Sequence, residues 1–294
     1  MEIISGIALS RVIKEEIKQE VSGFLEKGIR KPKLVAVLVG SDGPSQTYVN
    51  AKVKDCLQVG FESEAIRLDE STSEKDLLEC VNRLNADSLV DGFIVQLPLP
   101  KAIDETKVLM AIDPSKDVDG FHPVNIGNMA LGLPGFVPAT PAGVLEMLRR
   151  SGIETSGKHC VIIGRSKIVG MPLSILLARN ANPGNCTVTL THSRTKNLDE
   201  ICRAADILIA ALGKPGFIKA DMVKEGAVII DVGISRVETD TNEKGYLIQG
   251  DVDFNSVSQK ARFISPVPGG VGPMTRSSLL TNTLKAYKRS FKLD

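Results

Sequence analysis

The sequence predicts an α/β protein in two parts, an N-terminal α/β domain on a parallel sheet followed by a Rossmann-like domain. Three observations carry this. Runs of consecutive apolar residues alternate with stretches of three- and four-residue apolar spacing, the pattern of parallel strands joined by helical crossovers. The alternation is interrupted from Pro114 to Pro141 by a segment rich in Gly and Pro and weak in periodicity, which reads as a functional loop plus a domain boundary. At 294 residues the chain is also long for a single domain, typically about 100–200 residues.

Taken in order, Leu9, Val12, Ile13, Ile17, Val21, Phe24 and Leu25 line one face of a helix that stops at Gly28. A buried strand follows at Leu34–Val39, then a helical stretch from Ser45 to Val59 and a short strand at Ala65–Leu68. A helix carrying Leu77, Leu78, Val81 and Leu84 leads to the apolar run Gly92–Gln96. Beyond the boundary, strands are predicted at Cys160–Ile163, Thr187–Thr191, Ile207–Ala210 and Val228–Val232, with helices near Met171–Arg179 and Leu198–Ala205. A Pro/Gly-rich segment, Pro266–Thr275, precedes a last helix with Leu280, Thr283, Leu284 and Tyr287 on one face. No internal repeat or low-complexity tract is visible.

Composition narrows the function. Hydrophobic residues make up 43% and charged residues 24%, which excludes a disordered, collagenous or coiled-coil chain. Lys+Arg 36 against Asp+Glu 35 leaves a net charge of +1, so neither a nucleic-acid groove nor an anionic membrane surface is expected as a partner, and any anion must be met locally. The five cysteines are odd in number and widely spaced, with no C-x-x-C, which argues against a disulfide framework or a zinc site and for buried thiols in a reducing compartment. His122, His159 and His192 stand in unrelated contexts, so no metal site is expected. The N-terminus acquires charges before a signal-peptide core can form, and no long apolar run follows; a cytoplasmic protein is expected.

Chemistry enters first at Gly164-Arg165-Ser166-Lys167-Ile168-Val169-Gly170-Met171-Pro172, the turn after the strand Cys160–Ile163. Glycines there let backbone N–H groups approach a pyrophosphate at the positive end of the helix they open. Ser166 replaces the second glycine of the usual fingerprint, and a plain strand-to-helix turn is the competing reading. Where a ribose-binding acid usually stands, the chain has Thr191-His192-Ser193-Arg194-Thr195. With no carboxylate to repel a 2′-phosphate, and with Arg165, Ser193 and Arg194 able to hold one, the sequence leans towards NADP; two solvated loop arginines would be the bland alternative.

In the N-terminal domain Ser45, Tyr48 and Lys52 share a helix face beside the apolar stripe Val49, Val53 and Leu57. Spacing alone suits a snorkelling surface pair, whereas a partly desolvated lysine could exchange protons near neutrality. Gln96, followed by Leu97-Pro98-Leu99-Pro100, ends a strand at the edge where open α/β sheets place ligands, or merely caps it. Asp117 and Asp119 could accept hydrogen bonds from a heterocycle or close an Asx turn, and spacing does not choose. There is no G-x-S-x-G elbow and no ATP phosphate loop.

Five motifs, Ser45-x-x-Tyr48-x-x-x-Lys52, Gln96–Pro100, Lys116–Phe121, Gly164–Pro172 and Pro266–Thr275, in this order resemble the bifunctional methylenetetrahydrofolate dehydrogenase/cyclohydrolase family of the bacterial FolD type over essentially the whole chain. The resemblance implies NADP-dependent oxidation of 5,10-methylenetetrahydrofolate, then hydrolysis of the methenyl cation to 10-formyltetrahydrofolate at the same site. It implies a folate-binding catalytic domain over 1–140, completed by the helix 275–294, a Rossmann-like NADP domain over 141–274, a cleft between them, and a homodimer. By matching positions Lys52 transfers protons, Tyr48 stacks and orients, Gln96 tunes the lysine and Asp119 anchors the pterin. Ser45, Leu97, Pro268, Gly269 and Gly270 join Tyr48, Gln96 and Asp119 in binding tetrahydrofolate derivatives. Gly164, Arg165, Ser166, Val169, Gly170, His192, Ser193, Arg194, Gly233 and Ile234 bind the cofactor.

Two positions depart from the family pattern. Ala139 stands where cysteine is frequent, and Arg276 where an apolar residue is common, which is expected to alter the rim of the cleft or its charge. The competing functions are another NADP-dependent dehydrogenase using Lys52 to polarise a carbonyl, and a non-enzymatic dinucleotide-sensing protein.

Overall fold

The structure is a computed structural model describing residues 1–240 and 245–293. In chain order the first elements are β1 (Glu2–Ile3), α1 (Gly6–Glu26), β2 (Lys33–Val39), α2 (Gly43–Gln58), β3 (Glu62–Leu68), α3 (Glu74–Ala86) and β4 (Gly92–Val95). Next come α4 (Glu105–Ala111), α5 (Pro123–Leu131), α6 (Ala139–Arg150), β5 (His159–Ile163), α7 (Gly170–Ala178), β6 (Thr187–Thr191) and α8 (Leu198–Arg203). The rest are β7 (Ile207–Ala210), β8 (Val228–Asp231), β9 (Ser235–Glu238), β10 (Tyr246–Gln249), α9 (Phe254–Val257), β11 (Phe263–Ile264) and α10 (Val271–Phe291), with a 3₁₀ turn at Ala220–Met222.

The chain divides into two compact units, Arg11–Ala139 with Arg276–Asp294, and Met1–Ser10 with Thr140–Thr275. The first holds a three-stranded parallel sheet of order β3-β2-β4. Val35, Val37 and Val39 from β2, Phe93 and Val95 from β4, and Leu77, Val81 and Leu84 from α3 make its core. α2 begins where the Asp42 side chain accepts from the Ser45 amide at 2.9 Å, with Pro44 in its first turn, where a missing N–H costs nothing. α10 is anchored in this unit by Tyr287, wholly buried, whose hydroxyl donates to the Arg30 carbonyl at 2.7 Å, while Arg30 pairs with Asp91.

The second unit holds a six-stranded parallel sheet, order β1-β11-β8-β7-β5-β6, and the antiparallel hairpin β9–β10. Its core gathers Val161 and Ile163 of β5, Leu208 and Ala210 of β7, and Ile229 of β8. In both sheets the first strand of a β-α-β-α-β series lies in the middle, β2 in one and β5 in the other, with its two successors on opposite sides. That reversal is the topological switch point at which open α/β sheets bind ligands.

Three local differences from the sequence reading have simple causes. Met1–Ser10 goes with the six-stranded unit because β1 pairs in parallel with β11, Glu2 opposite Phe263 and Ile3 opposite Ile264; two residues are too few to leave a pattern. The Pro114–Pro141 segment is not all loop. It contains α5 and the start of α6, since Pro123 is an N-terminal helix residue, His122 Nδ1 accepts from the Val124 amide at 3.1 Å, and Gly132 closes α5 in the left-handed region. In the same way α10 starts at Val271, inside the Pro/Gly-rich segment, because Pro273 falls in its first turn.

Candidate active site

Helix α2 carries Ser45 and Lys52 inward, at 5% and 9% exposure, with Tyr48 half-buried between them. Lys52 is therefore not a snorkelling surface residue. Its ammonium donates to Gln96 Oε1 at 3.1 Å. Gln96 leaves the end of β4 with its amide donating to the Val37 carbonyl at 2.8 Å, and its Nε2 donates to the carbonyl of Leu97 at 2.7 Å. The carboxamide is thus held at its nitrogen end and presents its oxygen to the lysine. A buried ammonium on a bound amide oxygen is positioned at the switch point of the three-stranded sheet.

The two aspartates of the Lys116–Phe121 loop separate cleanly. Asp117 is 2% exposed and accepts from the Phe121 amide at 3.2 Å, the His122 amide at 2.8 Å and Asn125 Nδ2 at 2.9 Å. Burial pushes its carboxyl up to about 6, against the pull of those donors. It is a structural residue that ties the loop to α5. Asp119 is half-buried, and among the described residues its carboxylate takes part in no hydrogen bond or ion pair, while its backbone carbonyl accepts from the Ala139 amide at 3.2 Å. It is the member of the pair whose carboxylate the fold does not hold.

Arg276 takes part in an ion cluster within the three-stranded unit. Its Nε donates to Asp55 Oδ2 at 2.6 Å, and Lys14 binds Oδ1 of the same carboxylate at 2.5 Å. Asp55 lies on α2, three residues beyond Lys52.

In the six-stranded unit the turn leaving β5 sits at the other switch point. The Gly164 amide donates to the Thr191 carbonyl at 3.0 Å, which sets this turn against the exit of β6. Gly164 has φ +115°, and a Cβ there would lie 2.0 Å from the Ala211 carbonyl oxygen; one on Gly170 would lie 1.8 Å from the Gly164 oxygen. No side chain fits at either position, because the turn packs closely on the backbone of Ala211 and on itself. Ser166 Oγ accepts from the amides of Val169 at 3.2 Å and Gly170 at 3.4 Å, so a hydroxyl caps α7 where the usual fingerprint has glycine. Arg165, Ser193 and Arg194 are exposed on the two loops, and His192 Nδ1 shapes the second by accepting from the Arg194 amide at 3.2 Å. Pro268, Gly269 and Gly270 follow β11, with the Gly269 carbonyl accepting from Ile7 at 3.1 Å.

Sequence reasoning missed two buried carboxylates that organise this rim. Asp231 accepts from the amides of Gly233 at 2.9 Å, Asp251 at 3.0 Å and Val252 at 2.9 Å. Asp251, wholly buried, accepts from Leu212 at 2.6 Å, Gly213 at 3.0 Å and Lys214 at 2.7 Å. Together they hold the loops after β7 and β8, from which Ile234 projects, 51% exposed. Burial pushes Asp231 up to about 6. An aspartate ending the apolar strand VIID was the available signal.

A Rossmann-type sheet with a close-packed glycine turn at its switch point places the six-stranded unit in the class of dinucleotide-binding folds. Within that class, residues 4–119 match the family model described as tetrahydrofolate dehydrogenase/cyclohydrolase, catalytic domain, and residues 138–291 the model for its NAD(P)-binding domain. The chain belongs to the tetrahydrofolate dehydrogenase/cyclohydrolase family. It is 59% identical over 286 residues to the bifunctional protein FolD of Cytophaga hutchinsonii, covering 97% of this chain and 99% of the relative. Among solved structures it is similar to the bifunctional enzyme FolD of Campylobacter jejuni, with TM-score 0.92, 46% identity and coverage of 98% and 99% of the two chains. It is also similar to the Trypanosoma brucei enzyme complexed with NADP cofactor and inhibitor, with TM-score 0.93, 39% identity and coverage of 99% and 98%.

Proposed function

We propose that the protein oxidises 5,10-methylenetetrahydrofolate with NADP and hydrolyses the resulting 5,10-methenyltetrahydrofolate to 10-formyltetrahydrofolate. The observation that carries the assignment of residues is the buried Lys52–Gln96 pair, formed by two motifs 44 residues apart in a chain of this family. The six-stranded unit suits NADP: the turn Gly164–Gly170 opens helix α7 at the switch point, where helix N-termini bind pyrophosphate, and Arg165, Ser193 and Arg194 offer exposed donors to a 2′-phosphate with no acidic side chain among them. Gly164, Ser166, Val169, Gly170, His192, Gly233 and Ile234 complete that site. Bound NADP supplies the two-electron acceptor.

The remaining chemistry falls to the protein's own side chains. Loss of hydride from a carbon between two nitrogens yields a cation delocalised over both, so the first reaction needs alignment rather than proton transfer. Asp119 supplies it by accepting from N–H groups of the pterin, with Tyr48 stacking on the folate and Ser45 and Leu97 lining it. Addition of water to the cation and opening of the ring do require proton transfers. Lys52 carries those protons, and Gln96 holds its amine in place.

The test is an assay of purified protein with 5,10-methylenetetrahydrofolate, comparing NADP with NAD and following NADPH and methenyl hydrolysis separately. Turnover of both steps with NADP is the expected result; NADP binding without turnover of any folate would overturn it in favour of a sensor. The family assignment disfavours that sensor and a dehydrogenase for amino or hydroxy acids. A cytoplasmic homodimer completes the reading. All five cysteines are free and buried, which suits a reducing compartment, and among the described residues no helix is long and apolar enough to cross a membrane. Sedimentation of the purified protein reads its oligomeric state.

A further inference from the structure

We infer that Arg276, acting with Lys14 through Asp55, is a positioning residue for the hydrolytic step, because the ion cluster it closes sets the turn of α2 that aims Lys52 at Gln96. The inference rests on the reading of Lys52 as the proton carrier.

Lys52 and Asp55 lie at i and i+3, on neighbouring positions of one helix face and separated by about 4.5 Å along the axis. Both are buried, and both oxygens of Asp55 are committed, Oδ1 to Lys14 from α1 and Oδ2 to Arg276 from α10. Lys14 continues to Gln58 Oε1 at 3.2 Å, three residues further along α2. The helix is therefore fastened to two others over the turns just beyond the lysine. The charges form one neighbourhood: the Cys56 thiol, which burial pushes up to about 12, feels Asp55, Lys52 and Lys14 together.

Removal of Arg276 has a defined consequence. A buried carboxylate that loses an ion partner is costly, and with only Lys14 left on Asp55 a nearby cation is drawn to its freed oxygen. One turn away on the same face stands the Lys52 ammonium, whose four-carbon stem lets it swing from Gln96 towards Asp55. The amine would then be both displaced and engaged. Oxidation, which needs the folate aligned but no proton carrier, is less exposed to this change than hydrolysis. Arg276 is thus more than a departure from an apolar pattern; together with Asp55 it forms a polar pair in the packing around the catalytic helix.

A four-way comparison tests this, using wild type, Arg276→Met, Lys52→Met and the double variant, with Arg276→Lys as the conservative control. Arg276→Met is expected to lower kcat for hydrolysis of isolated methenyltetrahydrofolate about tenfold while KM stays within about twofold, a loss typical of a misplaced catalytic group. Methylene oxidation should fall by less than about threefold, Arg276→Lys should recover most of the hydrolysis, and in the Lys52→Met background Arg276→Met should have no further effect. An equal fall of both activities, a change in KM alone, or the same loss in the Lys52→Met background overturns the inference. If Lys52→Met alone keeps wild-type hydrolysis, the proton-carrier reading falls and the inference with it; if Lys52→Met abolishes hydrolysis while Arg276→Met spares it, only the positioning role falls. Should Arg276→Met not fold, Asp55→Asn takes its place in the same comparison with the same expected outcomes.

Discussion

The two units share one strand order about their switch points and are built there in opposite ways. In the three-stranded unit the proposed chemistry rests on side chains: buried Lys52 in the middle of a helix, half-buried Gln96 at a strand end, and buried Asp55 held by two cations. In the six-stranded unit the backbone does most of the shaping, through a close-packed glycine turn and two buried aspartates that gather loop amides, and the charged groups that would meet a ligand lie exposed on the loops. The contrast fits the proposed tasks. A group that must deliver a proton has to be fixed in place and partly desolvated, whereas an anion is recognised by N–H groups and by long cations that can fold onto it.

The largest effect expected from this contrast is at Lys52. Lys52→Met keeps much of the side chain's length and packing while deleting the amine, so hydrolysis of methenyltetrahydrofolate, corrected for the spontaneous rate, should fall by roughly 10²–10⁴-fold. NADPH formation should persist, with accumulation of the methenyl cation. Wild-type hydrolysis would reduce Lys52 to a packing residue and erase the distinction between the units. Asp119→Ala comes next: loss of a charge-assisted contact should weaken folate binding roughly ten- to a hundredfold. Both activities should decline while NADP titration is unchanged; undiminished folate affinity would remove Asp119 from the site.

On the exposed side the expected effects are smaller. Arg165→Ala should weaken NADP binding about tenfold and leave NAD binding nearly unchanged. Equal weakening of both would mean that Arg165 does not read the 2′-phosphate. The smallest effect is common to the two units, since each buries one aspartate pushed up to about 6, Asp117 in one and Asp231 in the other. A carboxyl with a raised pKa binds its proton more tightly when folded, so its contribution is complete below the ordinary value near 4 and is lost as pH rises through about 6. Glu74, Asp113, Glu146 and Asp206 lie below the usual range, each held there first by a side-chain hydrogen bond, and their contributions are already in place above about pH 5. The urea midpoint should therefore decline between pH 5 and 7; a flat or rising midpoint would show that the backbone donors outweigh burial at both aspartates.

Much of this arrangement was readable from local pattern. The strands Leu34–Val39, Gly92–Gln96 and Cys160–Ile163 announce themselves as apolar runs because strands buried on both faces need no alternation. The helix face of Ser45, Tyr48 and Lys52 follows from periodicity alone, and the glycine turn after β5 from two glycines that tolerate no Cβ. Helix α5 was hidden because Pro123 and Gly132, its start and stop residues, are the same residue types that mark a loop.

What local rules decided, then, is the succession of strands and helices and the residue types at each turn, since these depend on side-chain periodicity and backbone sterics within a few positions. Which aspartate is structural and which is free was decided by packing: Asp117 and Asp119 are two residues apart and equivalent in any local pattern, until α5 brings Asn125 and the His122 amide to one of them. The same holds for Lys52, a surface pair by spacing and a buried donor in the fold, and for Arg276, whose partner lies 221 positions away. Burial and ion pairing between distant segments are properties of the assembled core, because only there are solvent excluded and remote charges brought within a few ångströms.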